Sequence, residues 1–336
     1  MSLDIPTKTI VRVFAALFIV ALVLVLKDIL ALFFLALVVA SGLSPVIGWM
    51  ERRGFPRILA VTMLFVGAAL FIAGLFWLLI PPILEDISEL SKNFPLYAEL
   101  LRDSISRFGI APEGAVGVGV SEVFREFANY FGKGVTAIPA IVFQFFGGII
   151  ALLSFVLVTF YLALERDGVE RFLKAIAPGE EPYVVDLWRR AQRKIGYWAR
   201  GQAVLMIVIG LVTYAGLSVL GVRYALLLAV LAGLLEVVQL VGPIVAGTVA
   251  TIVAFSSSPL LAVGVVLLYV AIQQIESNIL VPVVFKKALG LSPVVVIFAL
   301  LAGAKLGGVV GMIIAVPLVA ILSELLSDFS KGKIKL

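Results

Sequence analysis

The sequence contains no cysteine and no histidine, and only 14% of its 336 residues are charged. Without cysteine there is no disulfide, no thiolate nucleophile and no cysteine-rich zinc or iron–sulfur site. Without histidine there is no Ser–His–Asp triad and no imidazole to bind a metal or relay protons near neutral pH. The G-x-x-x-x-G-K-[ST] phosphate loop is also missing, which excludes ATP hydrolysis by that mechanism. We therefore predict that the protein is not an enzyme and holds neither a cofactor nor a metal.

Apolar residues are abundant instead. They make up 62% of the chain, against the roughly 45–50% of a soluble domain. A soluble chain of this length needs more charges to cover its surface, so the composition predicts an all-α, multi-pass membrane protein. The net charge of +5 is too small to indicate nucleic acid as a partner, and it is the modest surplus that cytoplasmic loops of a membrane protein carry.

Four apolar runs in the first half have the length of a membrane span, at a rise of about 1.5 Å per residue and a hydrocarbon core of roughly 30 Å. They cover residues 10–26, 29–48, 58–80 and 137–164. The first run has no cleavage pattern after it, so we interpret it as a retained span. Pro81-Pro82 is expected to end the third. Residues 1–82 are thus predicted to be N-terminal transmembrane helices, and 137–164 one further helix.

Charge divides the segments between the spans. Residues 83–136 hold five Lys/Arg and eight Asp/Glu in a helical apolar pattern, and we predict an extracytoplasmic helical domain there. Residues 165–200 hold eight Lys/Arg and six Asp/Glu and form a basic amphipathic segment, either a helix lying on anionic headgroups or a solvated linker helix. By the positive-inside rule, this segment, the N-terminus and the tail 328–336 are cytoplasmic, in the cell membrane.

The last third, 201–327, is predicted to be the transport core. Two of its apolar pieces, 241–255 and 291–304, are shorter than the roughly 17–25 residues that a span needs. Each adjoins a break, Gly242-Pro243 in the first case and the stretch from Gly303 to Gly308 in the second. Paired short segments with Gly/Pro breaks point to a transporter binding site. Re-entrant hairpins and kinked full spans both stay open, giving about six to eight transmembrane helices.

Polar side chains in this core are few and clustered. An ionised group at the bilayer centre costs from about 3 to more than 10 kcal/mol, so such groups need a functional reason or a place near the headgroups. Gln273 and Glu276, three residues apart, share one helical face and are suited to present an amide and a carboxylate to one solute. The candidate residues for binding a solute or ion are Glu236, Gln239, Gly242, Pro243, Gln273, Gln274, Glu276, Asn278, Pro282 and Lys305.

Gly303, Gly307 and Gly311 recur at four-residue spacing. This spacing permits close approach of two helix backbones, and we predict helix packing at these positions.

Several motifs resemble the autoinducer-2 exporter family of bacterial and archaeal membrane proteins. They run in order over most of the chain, and the Gln-Gln-x-Glu-x-Asn-x-x-x-Pro stretch is specific. One departure is Gln239, where an Ile-Pro or similar pair is common before the Gly-Pro. The matching stretches are Pro45 through Arg57, Phe160-Tyr161, Arg166-Asp167-Gly168, Arg200-Gly201-Gln202, Leu235-Glu236, Val241-Gly242-Pro243, Gln273 through Pro282, Gly303 through Met312, and Ala315-Val316-Pro317.

The resemblance implies a homo-oligomeric exporter, with some relatives assigned to the quorum-sensing molecule autoinducer-2 and others to sodium–proton antiport. The expected partners are therefore the lipid bilayer and a small polar solute, Na⁺ or H⁺. Two alternatives stay open at this point. One is a passive oligomeric channel, and the other is a non-transporting membrane scaffold whose outer domain binds partners. One fold supports many cargoes, so the family alone does not fix the solute.

Overall fold

The computed structural model describes residues 21–108, 145–165, 167–176, 178, 181–285 and 292–330, together with Phe14, Leu17 and Phe18. Every regular element in these ranges is helical, as the composition predicts. The helices are α1 (Lys27–Arg52), α2 (Arg57–Phe108), α3 (Ile149–Leu164), α4 (Gly168–Ile176), α5 (Glu181–Val219), α6 (Ala225–Leu235), α7 (Val241–Ser257), α8 (Pro259–Ile275), the π-helical turn Glu276–Leu280, α9 (Val281–Phe285) and α10 (Pro293–Ser330).

Five helices in the described ranges are long and apolar enough to cross a membrane, or six if α3 and α4 together form one broken span. The chain is therefore an all-α polytopic membrane protein. Most of the first predicted span 10–26, residues 109–136 of the acidic region, Lys286-Lys287 and the C-terminal lysines lie outside the described residues.

Two helices continue beyond the ends of the predicted spans. Pro81-Pro82 does not stop α2, which continues to Phe108. Proline has a φ angle close to the helical value, so the pair removes hydrogen bonds without forcing the chain out of the helix. The predicted boundary at residue 200 also lies inside a helix, since α5 runs without a break from Glu181 to Val219. The basic segment and the following span therefore share one helix.

The described chain forms two compact units. One comprises Met1–Leu43, Ile149–Ile195 and Leu291–Leu336, and the other Ser44–Gly148 and Gly196–Gly290. We call them the hairpin unit and the core unit. In the core unit, α7 packs between α6 and α8, and α2 packs on α6 and α7. Its apolar centre includes Leu217, Leu228, Ala250, Val253 and Val265, which are inward positions of four successive helices.

The hairpin unit takes its name from α10. The backbone leaves the helical region at Gly307 (φ −144°, ψ 19°) and Gly308 (φ 59°, ψ −139°). Gly303 and Gly311 stand backbone to backbone, so that a Cβ on Gly311 would lie 3.4 Å from the Cα of Gly303. In a straight helix these residues would be about 12 Å apart. The chain therefore reverses at the Gly307-Gly308 pair, and α10 is a helical hairpin.

Gly303→Ala is expected to destabilise this hairpin. The new Cβ would strike the carbonyl of Gly311 and lie 3.0 Å from the Cβ of Ala315, so the second arm has to move. Overpacking of this kind costs about 1–3 kcal/mol, measurable as a lower thermal unfolding midpoint of the purified protein. Gly307→Ala is the matched control, because a Cβ there meets nothing within 4 Å. Equal midpoints for the two variants would contradict the close crossing.

Candidate functional site

The break between α6 and α7 is the first structural feature of the site. Helix α6 is only 11 residues long and ends against Glu236. The chain then turns through Leu240, whose φ of 71° is unusual for a residue with a side chain. A Cβ on Gly242 would overlap the carbonyl of Leu235, so only glycine allows α7 to begin this close to the end of α6. Strained backbone of this kind concentrates at functional sites.

The second feature is the π-helical turn that follows α8. It spans Glu276 to Leu280, and the Val281 N–H donates to the Glu276 carbonyl across five residues. Pro282 comes next and has no N–H to donate, which leaves a carbonyl of the preceding turn without its helical partner. π-turns widen a helix locally and are frequent at functional sites. The polar run of the sequence thus lies on an irregular stretch of helix.

These two irregular stretches bring Glu236 and Glu276 together. Glu236 is completely buried and Glu276 is 4% exposed. Their carboxyl groups are within hydrogen-bonding reach of each other, so a proton held by one can be shared with the other. Gln273 donates from Nε2 to Oε2 of Glu276 over 3.2 Å. No donor in the described ranges bonds either carboxylate oxygen of Glu236.

Two adjacent buried carboxylates cannot both remain charged without compensation. Each ion loses its hydration, and the two like charges repel in an environment of low dielectric. No Lys or Arg forms an ion pair with either group in the described part of the chain. The compensation therefore has to be a proton or a bound cation. This pair is suited to bind and release such an ion.

Gln202 on α5 completes the site and is not among the candidate residues predicted from the sequence. The residue is 3% exposed. Its Nε2 donates to the carbonyl of Glu236 over 2.6 Å, and its Oε1 accepts from Nε2 of Gln239 over 2.9 Å. Gln202 therefore fastens the broken stretch between α6 and α7 to a continuous helix. Its only signal in the sequence is a place in Arg200-Gly201-Gln202, one of the stretches that carry the family resemblance.

The other polar side chains at the end of α8 and in the π-turn lie at the surface. Gln274, Ser277 and Asn278 are exposed. Asn278 donates from Nδ2 to Oε1 of Gln274 over 2.9 Å, and the Ser277 hydroxyl donates to the carbonyl of Gln273 over 2.8 Å. Side chains of this polarity are costly against lipid. We therefore expect water or protein, and not lipid, beside this face of α8.

The structure gathers part of the predicted set in the core unit. Glu236, Gln239, Gly242 and Pro243 belong to the break between α6 and α7, and Gln273, Gln274, Glu276, Asn278 and Pro282 to the end of α8 and the turn after it. Lys305 is in the hairpin unit, exposed and two residues before Gly307. The glycines 303 and 311 form the hairpin crossing, whereas Gly307 lies at the turn itself.

Gln202→Leu is expected to destabilise the segment between α6 and α7. It leaves the Glu236 carbonyl and the Gln239 amide without partners, a cost of about 1–3 kcal/mol, and it frees Glu236 to change position. A lower unfolding midpoint together with a shifted pH profile of transport is the expected result. Gln192→Leu on the same helix is the control, because Gln192 has no side-chain hydrogen bond to the break. A shift in stability with an unchanged pH profile would limit Gln202 to a structural role.

A break between two short apolar helices, lined by buried carboxylates and amides, is an arrangement typical of membrane transport proteins. Comparison with known families gives the narrower assignment. The AI-2E family transporter description matches residues 13–331, and the chain belongs to that family. The resemblance inferred from the motifs is thereby confirmed.

Individual relatives cover most of both chains. In Bacillus subtilis (strain 168), two proteins named "Putative transport protein", YrrI and YueF, are similar to this chain. YrrI is 27% identical over 91% of this chain and 88% of its own length. YueF is 26% identical over 83% of this chain and 78% of its own length. "AI-2 transport protein TqsA" of Escherichia coli (strain K12) is 27% identical over 91% and 88%. The relatives are named for transport and not for catalysis.

Proposed function

We propose that this protein carries a small polar solute across the cell membrane, with the Glu236–Glu276 pair as its proton or cation site. The observation that supports this proposal is the placement of two neighbouring carboxyl groups, almost completely buried, at the ends of the helices α6 and α8. Irregular backbone survives in a bilayer only against protein or a water-filled cavity. An ion that enters there reaches both carboxylates at once.

Proton and sodium suit the pair better than a divalent metal. Within the described residues no third carboxylate joins Glu236 and Glu276. A proton needs only one of the two oxygens, and a monovalent cation can be completed by amide and backbone oxygens such as those of Gln273 and Glu276. Exchange of H⁺ or Na⁺ for the solute is therefore the coupling we propose, and Glu276, which Gln273 contacts, is the proposed carrier.

The name of the relative TqsA suggests the solute class. That protein is named for AI-2 transport, and we propose export of autoinducer-2 or a similar polar furanosyl compound, with a role in quorum sensing. The exposed amides of Gln274 and Asn278 suit hydroxyl groups of such a solute. We also propose that the protein forms a homo-oligomer and that its N- and C-termini are cytoplasmic. The orientation of the termini follows from the distribution of basic residues.

Counterflow in proteoliposomes tests this function. Vesicles preloaded with sugars, diols, furanosyl signals or sodium are assayed with a pH gradient and again after a protonophore has collapsed it. Saturable uptake that accumulates one solute only in the presence of the gradient is expected. Flux without saturation or accumulation would instead indicate the passive oligomeric channel. No flux of any solute would indicate the scaffold, which the burial cost of two carboxylates disfavours.

A further inference from the structure

Helix α5 lies beside α8 and α9, and its contacts with them give the level of the carboxylate pair within the core unit. A Cβ on Gly216 would lie 2.5 Å from Cδ1 of Leu268. A Cβ on Gly201 would lie 2.7 Å from Cε1 of Phe285. The chain from α8 to α9 is therefore antiparallel to α5. Glu276 is eight residues after Leu268 and nine before Phe285, so its backbone is level with the part of α5 midway between the two glycines.

The level of Gly201 on α5 marks an edge of the hydrocarbon core. No Asp, Glu, Lys or Arg occurs between Arg200 and Arg223, and α5 continues to Val219. At about 1.5 Å per residue, the uncharged part of α5 measures about 28 Å, close to the roughly 30 Å of a bilayer core. The Arg200 guanidinium stacks on the ring of Tyr197 at 4.9 Å, and aromatic rings concentrate at membrane interfaces. We call the membrane face at Arg200 the basic face. The carboxylate pair lies about 12 Å inside it.

Polar side chains lie between the pair and the basic face. Gln202 and Gln239 bond to each other over 2.9 Å, and Gln202 also donates to the Glu236 carbonyl. We call Gln202 and Gln239 the polar layer. Trp198 lies one turn before Gln202 on the same face of α5 and is 3% exposed. Its indole N–H has no hydrogen-bond partner among the described residues. Buried N–H groups are normally bonded, so this donor indicates that water or a passing polar group reaches this part of α5.

The other side of the pair is closed by packed apolar side chains. The apolar centre of the core unit consists of aliphatic residues and the ring of Tyr224. Leu228 comes eight residues before the glutamate that follows α6, and Val265 comes eleven before the one that follows α8. This centre therefore begins about 12 Å beyond the pair. The hydroxyls of Thr213 and Tyr269 on this side have no hydrogen-bond partner, so they form no hydrogen-bonded chain to the pair. An ion has no polar route through this part of the described chain.

Phe285 lies where the polar layer meets the basic face. The residue is 9% exposed, and its ring rests against the backbone of Gly201, since a Cβ there would strike it. Helix α9 is only five residues long and follows the π-turn. Local opening of so short a segment costs little compared with unpacking the apolar centre. The entry on the basic face is thus the one that can open.

We propose that the carboxylate pair exchanges its proton or cation only with the basic face of the membrane, and that Phe285 closes this entry. The inference rests on the proposed role of the pair as an ion site, and it names the compartment that supplies the ion. By the positive-inside rule, this is the face proposed as cytoplasmic. Movement of Phe285 away from Gly201 admits water to the polar layer, while the apolar centre stays packed.

Cysteine labelling in sealed membrane vesicles tests the direction of access, because the chain contains no cysteine of its own. A charged, membrane-impermeant maleimide is applied to right-side-out and to inside-out vesicles. Arg193→Cys reports the basic face and Arg223→Cys the opposite face, since both arginines are exposed. Gln239→Cys and Glu276→Cys are expected to react only in the vesicle orientation in which Arg193→Cys reacts. The first of these two probes keeps the test valid if loss of the carboxylate impairs folding.

Phe285→Ala tests the closing residue. The variant is expected to speed labelling of both probes from the basic face by about tenfold, because opening no longer has to displace the ring. Val283→Ala on the same short helix is the matched control, since Val283 is 68% exposed. Its labelling rates should stay within about twofold of those of the parent. Size-exclusion profiles of every variant exclude misfolding as the cause.

Three results would overturn the proposal. Labelling of the probes from the opposite face, or equally from both faces, would mean that the pair is not restricted to the basic face. No labelling from either face, even with Phe285→Ala, would mean that the polar layer is not an entry. Equal rates in Phe285→Ala and Val283→Ala would remove Phe285 as the closing residue. Labelling needs no transport, so one-sided access together with normal transport by Glu276→Gln would contradict the proposed function and leave this access route standing.

Discussion

Glu276→Gln is expected to slow transport by about 10- to 100-fold and to flatten the dependence of the transport rate on pH. A factor of this size corresponds to the loss of one hydrogen bond to a charged group. The amide keeps the size of the side chain but cannot take up a proton or neutralise a cation. Glu236 then remains as a single buried carboxyl group with no partner that titrates. The measurement is the initial rate of solute uptake into proteoliposomes across a series of pH values.

Two further variants make this result specific. Glu276→Asp keeps a carboxyl group and should retain the pH dependence at a reduced rate, whereas Glu236→Gln should resemble Glu276→Gln. Glu85→Gln, an exposed carboxylate on α2, is the control for loss of a negative charge as such. If Glu276→Gln and Glu236→Gln both left the rate and its pH profile unchanged, the carboxylate pair would have no part in transport.

Residue spacing within one helix predicted the proximity of Gln273 and Glu276, but it could not predict the proximity of Glu236 and Glu276. Gln273 and Glu276 are three residues apart, and a helix of any kind places them on one face, where the structure has them hydrogen-bonded. Glu236 was selected for its position before Gly242-Pro243. Its contact with Glu276 joins segments 40 residues apart, and no periodicity within either segment encodes it. That contact depends on how α6, α7 and α8 pack.

The role of Gln202 also could not be predicted from spacing within its own helix. In the sequence it follows Arg200 and Gly201 at the point where charge gives way to apolar residues, a position typical of an interfacial anchor. In the structure α5 continues through this point, and the side chain turns inward to the Glu236 carbonyl. A glutamine that replaces missing helical hydrogen bonds can be recognised only when the break it serves is known to lie beside it.

Breaks formed by glycine were predicted better than ends formed by proline. Gly307-Gly308 reverses α10, as the glycine-rich stretch suggested, because glycine alone adopts the φ of 59° at the turn and permits the crossing of residues 303 and 311. Pro81-Pro82 has no such effect on α2. A proline restricts the chain to an angle that a helix already uses, whereas a glycine opens angles that a helix does not.

The ion cluster at the base of the α10 hairpin has the second large expected effect. Arg190 on α5 pairs with Glu324 over 2.8 Å and with Asp328, whose side chain is only 2% exposed. Lys194 pairs with Glu324 over 2.5 Å, and the Tyr183 hydroxyl donates to Asp328 over 3.3 Å. These contacts hold the last turns of α10 against the basic half of α5 within the hairpin unit.

Arg190→Gln is therefore expected to lower the free energy of unfolding by about 3 kcal/mol, because it removes the guanidinium that pairs with the buried Asp328 carboxylate. The double variant Arg190→Gln/Asp328→Asn should recover much of this loss, since removing both charges leaves neither one buried and uncompensated. Thermal unfolding of the purified protein measures both, with Arg193→Gln, exposed on the same helix, as the control. Additive losses in the double variant would show that Arg190 stabilises the hairpin through Glu324 or through packing, and not through its pair with Asp328.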